Sequence, residues 1–120
     1  MATILIADDN ASEIALMTRV VKEMGHQSLA VTNGQECLEM AEKMKPDLIL
    51  LDIVMPRLDG FNTCRKLKAT ESTANIPVII VTSKNAESDQ FWGQRQGASA
   101  YLVKPFDPQG LRDAIERFLS

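Results

Sequence analysis

The chain has 120 residues, enough for one domain with a single buried core and too few for two. Hydrophobic residues make up 45% of it and charged residues 24%, and 13 Lys and Arg against 16 Asp and Glu leave a formal net charge of −3. This is the composition of a globular protein, and it excludes a basic nucleic-acid footprint. The longest apolar run, Leu48 to Met55, is interrupted by Asp52 and cannot cross a bilayer, and Met1 to Leu5 has no secretory n-region. The expectation is one cytoplasmic domain over residues 1–120, with no output domain attached.

Short β-rich runs alternate with helical patterns along the whole chain. Thr3 to Ala7 is the first strand. Asn10 with Glu13 three residues later has the form of a capping box, and Ile14, Met17, Val21 and Met24 recur at helical spacing up to a stop at Gly25. The second strand lies near Ser28 to Thr32. Asn33 and Glu36 repeat the capping arrangement for a helix whose inward face is Cys37, Leu38, Ala41 and Met44. Asp47 to Leu51 is a third strand, and its unbroken apolar character suits a central parallel strand covered on both faces.

A third helix carries Phe61, Cys64 and Leu67, and Pro77 to Val81 is the fourth strand. The fourth helix, Asn85 to Gln96, offers Phe91 and Trp92 but few other apolar residues, and Gly97 closes it. Trp92 is therefore either a partial core anchor or a partner-facing residue, with exposure favoured. Ser99 to Val103 is the fifth strand. Asp107 as N-cap and Pro108 at the first helical position start a last helix striped by Leu111, Ala114, Ile115 and Phe118. Met17, Met24, Met40 and Met44 read as core or near-core packing, Cys37 and Cys64 as buried free thiols, and His26 as a surface turn residue.

Five strand–helix units in one domain argue for an α/β fold, a doubly wound parallel sheet with helices on both faces. Such sheets place their site outside the carboxyl ends of the strands. Polar residues collect there: Asp8 and Asp9 after the first strand, Asp52 after the third, Thr82 after the fourth and Lys104 after the fifth. Alone, Asp8-Asp9 fits a polar turn, Lys104 a solvated loop and Thr82 a strand end. Their shared position at one sheet edge favours a site. Three carboxylates held together raise one another's pKa unless a cation intervenes. Mg²⁺, which takes oxygen ligands and is usually held by one or two carboxylates with a phosphate, suits the set. A carboxylate can also attack phosphorus to give an aspartyl phosphate, a transfer that needs mainly positioning and charge neutralisation.

With these residues in place, the sequence resembles the receiver domains of two-component response regulators, typified by the chemotaxis protein CheY. The resemblance rests on Asp8-Asp9, on Leu50-Leu51-Asp52-Ile53-Val54-Met55-Pro56-Arg57-Leu58-Asp59-Gly60, on Thr82-Ser83 and on Lys104-Pro105-Phe106, and covers essentially the whole chain. The stretch Phe91-Trp92-Gly93-Gln94-Arg95-Gln96-Gly97-Ala98 further resembles PilH-type regulators of type IV pilus motility. The resemblance implies a flavodoxin-like five-stranded sheet of order 2-1-3-4-5 and a phosphoryl group taken by Asp52 from a CheA-like sensor histidine kinase. It implies Mg²⁺ on Asp9, Asp52 and the Val54 backbone carbonyl with Asp8 helping through water, phosphoryl contacts from Lys104 and Thr82, and a cis bond between Lys104 and Pro105. It further implies a switch through Thr82 and Tyr101 that alters the face of helix four, strand five and helix five, where a downstream protein binds.

On the same grounds Val54 and Lys84 set the lifetime of the phosphoryl group, and the protein is not an enzyme beyond self-catalysed transfer and autodephosphorylation. It is expected to be a monomer, with pairing on phosphorylation open, and to bind neither nucleic acid nor membrane. Two other outputs stay open at this point: a phosphate sink for a shared kinase and a binding module independent of phosphorylation. A flavin binder is disfavoured by the anionic Asp8-Asp9-Asn10 loop. An aspartyl-phosphate hydrolase is disfavoured by Val54, which stands where such enzymes need a second acid.

Overall fold

In the computed structural model, which describes residues 1–55, 57–84 and 86–119, strand and helix alternate five times. The elements are β1 (Thr3–Ala7), α1 (Ala11–Glu23), β2 (Gln27–Val31), α2 (Gly34–Met44), β3 (Leu48–Leu51), α3 (Gly60–Ala69), β4 (Val78–Thr82), α4 (Glu87–Arg95), β5 (Ala100–Val103) and α5 (Pro108–Leu119). The strands form one parallel sheet in the order β2-β1-β3-β4-β5, as expected of the doubly wound class. Pro56 and Asn85, the latter the expected start of the fourth helix, lie outside the described residues. No helix among the described residues is long and apolar enough to cross a membrane.

The unbroken apolar strands are explained by what covers them. Successive side chains on a strand face opposite sides. Ile4, Ile6, Leu48, Leu50, Ile79 and Val81 bury one side of the sheet with Met17, Val20 and Val21 of α1 and Leu111 and Ile115 of α5. Leu5, Ala7, Ile49 and Leu51 bury the other with Cys37 and Ala41 of α2 and Cys64 and Leu67 of α3. Both cysteines are free and buried, as read from their spacing, and burial pushes the Cys37 thiol up to about 12 and that of Cys64 to about 11. The fourth helix is different. Gly93 is the buried residue of α4, while Phe91 and Trp92 remain 54% and 51% exposed.

The caps form on one side only. Asn10 accepts from the Glu13 amide and Asn33 from the Glu36 amide. The reciprocal halves go elsewhere: the Asn10 amide donates to Asp8, and the Glu36 carboxylate accepts from the amide and hydroxyl of Thr32. Asp107 accepts from the Gln109 amide at the start of α5, as its capping role requires. Two expectations need correction. Met44 is not core but 47% exposed, because it is the last residue of α2 and lies beyond the stretch that Cys37 and Ala41 pack down. His26 is half-buried rather than a plain surface residue, its Nδ1 accepting from the Ala2 amide at 3.0 Å.

Where α2 begins, the backbone is pressed against the segment that follows β3. A Cβ at Gly34 would fall 2.2 Å from the Leu58 carbonyl oxygen and 2.4 Å from Thr63 Oγ1. Gly110 in α5 has open space around it. Gly34→Ala should therefore destabilise by about 1–3 kcal/mol through overpacking. Gly110→Ala should stabilise by up to about 1 kcal/mol through helix propensity. Urea unfolding of the two variants checks the contrast, and equal effects would refute it.

Candidate functional site

The sheet ladder continues one residue past the strands and holds the site in register. Beyond β1, the Asp8 amide donates to Val31 O at 3.1 Å; beyond β3, the Asp52 amide donates to Ala7 O at 2.9 Å. Beyond β5, the Lys104 amide donates to Thr82 O at 2.8 Å. Backbone pairing thus brings together side chains that lie far apart in sequence. The Lys104–Pro105 bond is cis, as the resemblance implied.

Lys104 is the centre of the cluster. Its Nζ lies 2.6 Å from Asp8 Oδ2 and 3.2 Å from Asp52 Oδ2, so one ammonium bridges the ends of β1 and β3. Asp8 is fully buried and Asp52 nearly so. Each has a further partner: Asp8 Oδ1 accepts from the Asn10 amide at 2.9 Å, and Asp52 Oδ1 from the Val54 amide at 3.2 Å. Burial works against the charge of Lys104, but the hydrogen bond to Asp8 and the Asp52 charge outweigh it and hold the ammonium above its ordinary pKa. Among the described residues no buried side-chain polar atom lacks a hydrogen-bond partner.

Asp9 completes the acidic group from an exposed position. Oxygens of Asp8, Asp9 and Asp52 lie within 4.8 Å of one another. One ammonium against three carboxylates leaves the cluster negative, and carboxylate oxygens at this spacing fit a hard, oxygen-ligated divalent cation. Asp9 and Asp52 open on a cleft of about 440 Å³, lined also by Glu13, Val54, Ser83 and Pro105. The backbone of Asp52 is closely approached from behind: a Cβ at Gly60 would come within 2.3 Å of Asp52 O. The sequence reading placed Gly60 and Ser83 in the motifs without a role, and read Glu13 as a capping residue rather than as part of the cleft. Asp59 in that motif also caps α3 by accepting from the Asn62 amide at 2.9 Å.

Thr82 and Tyr101 stand beside the cluster rather than in it. Thr82 is buried at the end of β4, and its Oγ1 accepts from the Lys84 amide at 3.5 Å. The half-buried Tyr101 on β5 donates its hydroxyl to Lys84 O at 2.7 Å. Burial, with the nearby charges of Asp89 and Asp52, pushes the Tyr101 phenol up to about 12.

Comparison with known proteins identifies the family of the chain. The response regulator receiver domain matches residues 4–116. The chain is 46% identical over 120 residues to protein PilH of Pseudomonas aeruginosa, covering all of this chain and 99% of that protein. It is 34% identical to the alkaline phosphatase synthesis transcriptional regulatory protein PhoP of Bacillus subtilis, over 97% of this chain but 48% of that one. Among solved structures, the Vibrio cholerae chemotaxis protein CheY4 superposes with a TM-score of 0.92 at 28% identity over 99% of each chain. The receiver domain of the sensor histidine kinase PA1611 of P. aeruginosa, with a magnesium ion coordinated in its active-site cleft, superposes with a TM-score of 0.91 at 27% identity, over 98% of this chain and 97% of that one.

Removing the bridging ammonium should leave Asp8 buried with one amide partner and close to two other carboxylates. Lys104→Met is expected to lower stability by about 3 kcal/mol in EDTA, as breaking a buried ion pair from one side does. The folded-state pKa of Lys104 lies above its ordinary 10.5. The bridge therefore contributes fully below that pH and is lost only as pH rises through the raised value. Urea unfolding at neutral pH measures the loss, and a variant as stable as the wild type would contradict the assigned bridge.

Proposed function

Because this chain belongs to the response regulator receiver family, we propose that it is a phosphorylation switch that takes a phosphoryl group onto Asp52. The donor is the phosphohistidine of a sensor histidine kinase, and the output is phosphorylation-dependent protein binding in type IV pilus motility. The observation that carries the reading is the Lys104 bridge to Asp8 and Asp52 at the floor of an acidic cleft. The pilus assignment is supported by the full-length similarity to PilH.

Asp52 is the nucleophile. Its Oδ1 is held by the Val54 amide and its Oδ2 by Lys104, which fixes the carboxylate plane toward the cleft. A carboxylate oxygen forms the new bond to phosphorus as the phosphorus–nitrogen bond of the donor breaks, and the departing imidazole takes a proton from solvent. Lys104 then exchanges its contact with Asp52 for a phosphoryl oxygen while keeping Asp8. Thr82, whose hydroxyl makes a long contact with the Lys84 amide, would turn to donate to another phosphoryl oxygen. Asp9, Asp52 and the Val54 carbonyl, with Asp8, would hold Mg²⁺. When bound, that ion offsets the negative charge of the carboxylates and the phosphoryl group.

The transfer and the later hydrolysis are self-catalysed, with no independent substrate. A partner would read the result on the face of α4, β5 and α5, where the exposed Phe91 and Trp92 supply apolar surface for a protein contact. In the resting state this receiver domain acts as a monomer.

Intact mass after incubation with acetyl phosphate tests the reading. We expect one phosphoryl adduct that requires Mg²⁺ and is absent from Asp52→Asn. No adduct in a protein that binds beryllofluoride would mean rapid hydrolysis, and no adduct without such binding would defeat the assignment. Val54 is 53% exposed in the cleft and Lys84 is exposed beside it. Exchanging either is expected to change the decay rate of the adduct, followed by mass over time; unchanged decay in both variants would remove their role.

A further inference from the structure

Glycine is disfavoured in a helix interior relative to alanine, so Gly93 within α4 needs a reason. The reason lies against its face. A Cβ at this position would sit 3.0 Å from Cδ2 and 3.2 Å from Cε2 of Tyr101, and 3.0 Å from Cδ1 of Ile80. These are closer than carbon atoms normally pack. Ile80 is a fully buried core residue. The Tyr101 ring is restrained, because its hydroxyl is bound to Lys84 O at 2.7 Å.

Gly93 is also the residue through which α4 is buried, so the helix rests on that ring. At its other end the ring leads back to the site, since the Lys84 amide contacts Thr82 Oγ1. On the outer side, Trp92 is next in the chain. It stands edge-to-face with Phe91, centroids 5.9 Å apart, and Arg95 lies 5.8 Å over the Phe91 ring.

We propose that Gly93 is a positioning residue for Tyr101, its missing side chain forming the socket that lets the ring lie under α4 while the hydroxyl reaches Lys84. The socket ties the position of α4, and with it Phe91 and Trp92, to the segment after β4 that carries Thr82. The coupling of this tie to phosphorylation rests on the function proposed above; the socket does not. A methyl group at position 93 presses on the ring, strains the Tyr101–Lys84 bond and loosens the tie between α4 and the acidic site.

The test has two arms, each with Gly110→Ala as the control for a helix glycine in open space. The chain has one tyrosine and one tryptophan, so both arms read single residues. In the unmodified protein, nuclear Overhauser contacts between the Tyr101 ring and the Lys84 backbone should have equal intensity in the wild type and Gly110→Ala and be weakened in Gly93→Ala. Unchanged intensity in Gly93→Ala overturns the socket. In the second arm beryllofluoride with Mg²⁺ is added, and fluorine NMR reports site filling independently of Trp92 fluorescence. We expect filling in all three proteins and a Trp92 change lost only in Gly93→Ala; a full change there overturns the tie.

A double-mutant cycle guards against a merely destabilised helix. In a Tyr101→Ala background, Gly93→Ala should leave Trp92 emission unaltered, and an effect of equal size with and without the ring counts against the proposal. Absence of a fluorine signal in the wild type would refute the phosphoryl reading instead, while the first arm still decides the socket.

Discussion

A single ammonium holds the carboxyl edge of this sheet together. Lys104 reaches Asp8 and Asp52 from the far side of β4, so the ends of β1, β3 and β5 are linked by charge as well as by backbone pairing. The contact is expensive to assemble, since Asp8 is fully buried and the surrounding carboxylates repel. It persists because the ladder bonds from Asp8, Asp52 and Lys104 to neighbouring strands fix all three before their side chains meet. The core beneath supplies the rigidity, with aliphatic side chains of the central strands covered on both faces. A site of like charges at the rim is tolerable when the sheet below it is this well packed.

Electrostatics and packing are divided along the molecule. The acidic cleft has a cation resident in the chain itself, so the resting site is partly neutralised. In the proposed reaction Lys104 trades a carboxylate oxygen for a phosphoryl oxygen, and its charge remains compensated throughout. Such an exchange needs little rearrangement, which is what transfer by positioning requires. The proposed motion falls to Thr82 and Tyr101, which stand outside the ion-paired cluster and are joined through both backbone groups of Lys84.

Much of this was legible in the sequence because the fold converts chain order into spatial order. A strand followed by a helix puts its next polar residue at the carboxyl edge, so Asp8, Asp9, Asp52, Thr82 and Lys104 could be gathered from spacing alone. What was hidden depends on contacts between distant backbones. Nothing in the local sequence of Gly34 announces the Leu58 carbonyl beside it, and nothing near Gly93 announces Tyr101. Met44 has the right helical angle for burial but falls at a helix end, a matter of where the sheet stops rather than of periodicity. Glu36 has the spacing of a capping box, yet its carboxylate serves Thr32, because the turn before α2 brings that amide and hydroxyl within reach.

The thin anchoring of α4 carries a consequence for how such a protein diversifies. Four of the helices are tied to the sheet by stripes of large apolar or thiol side chains, so their sequences are bound to the folding of the domain. Gly93 binds α4 with no side chain at all, and the remaining residues of that helix are half-buried or exposed. Most substitutions there escape the usual penalty for altering a core. The recognition surface proposed for α4 can therefore change its sequence while the chemical site and the scaffold stay fixed, so a new partner could be accommodated without rebuilding the domain beneath it.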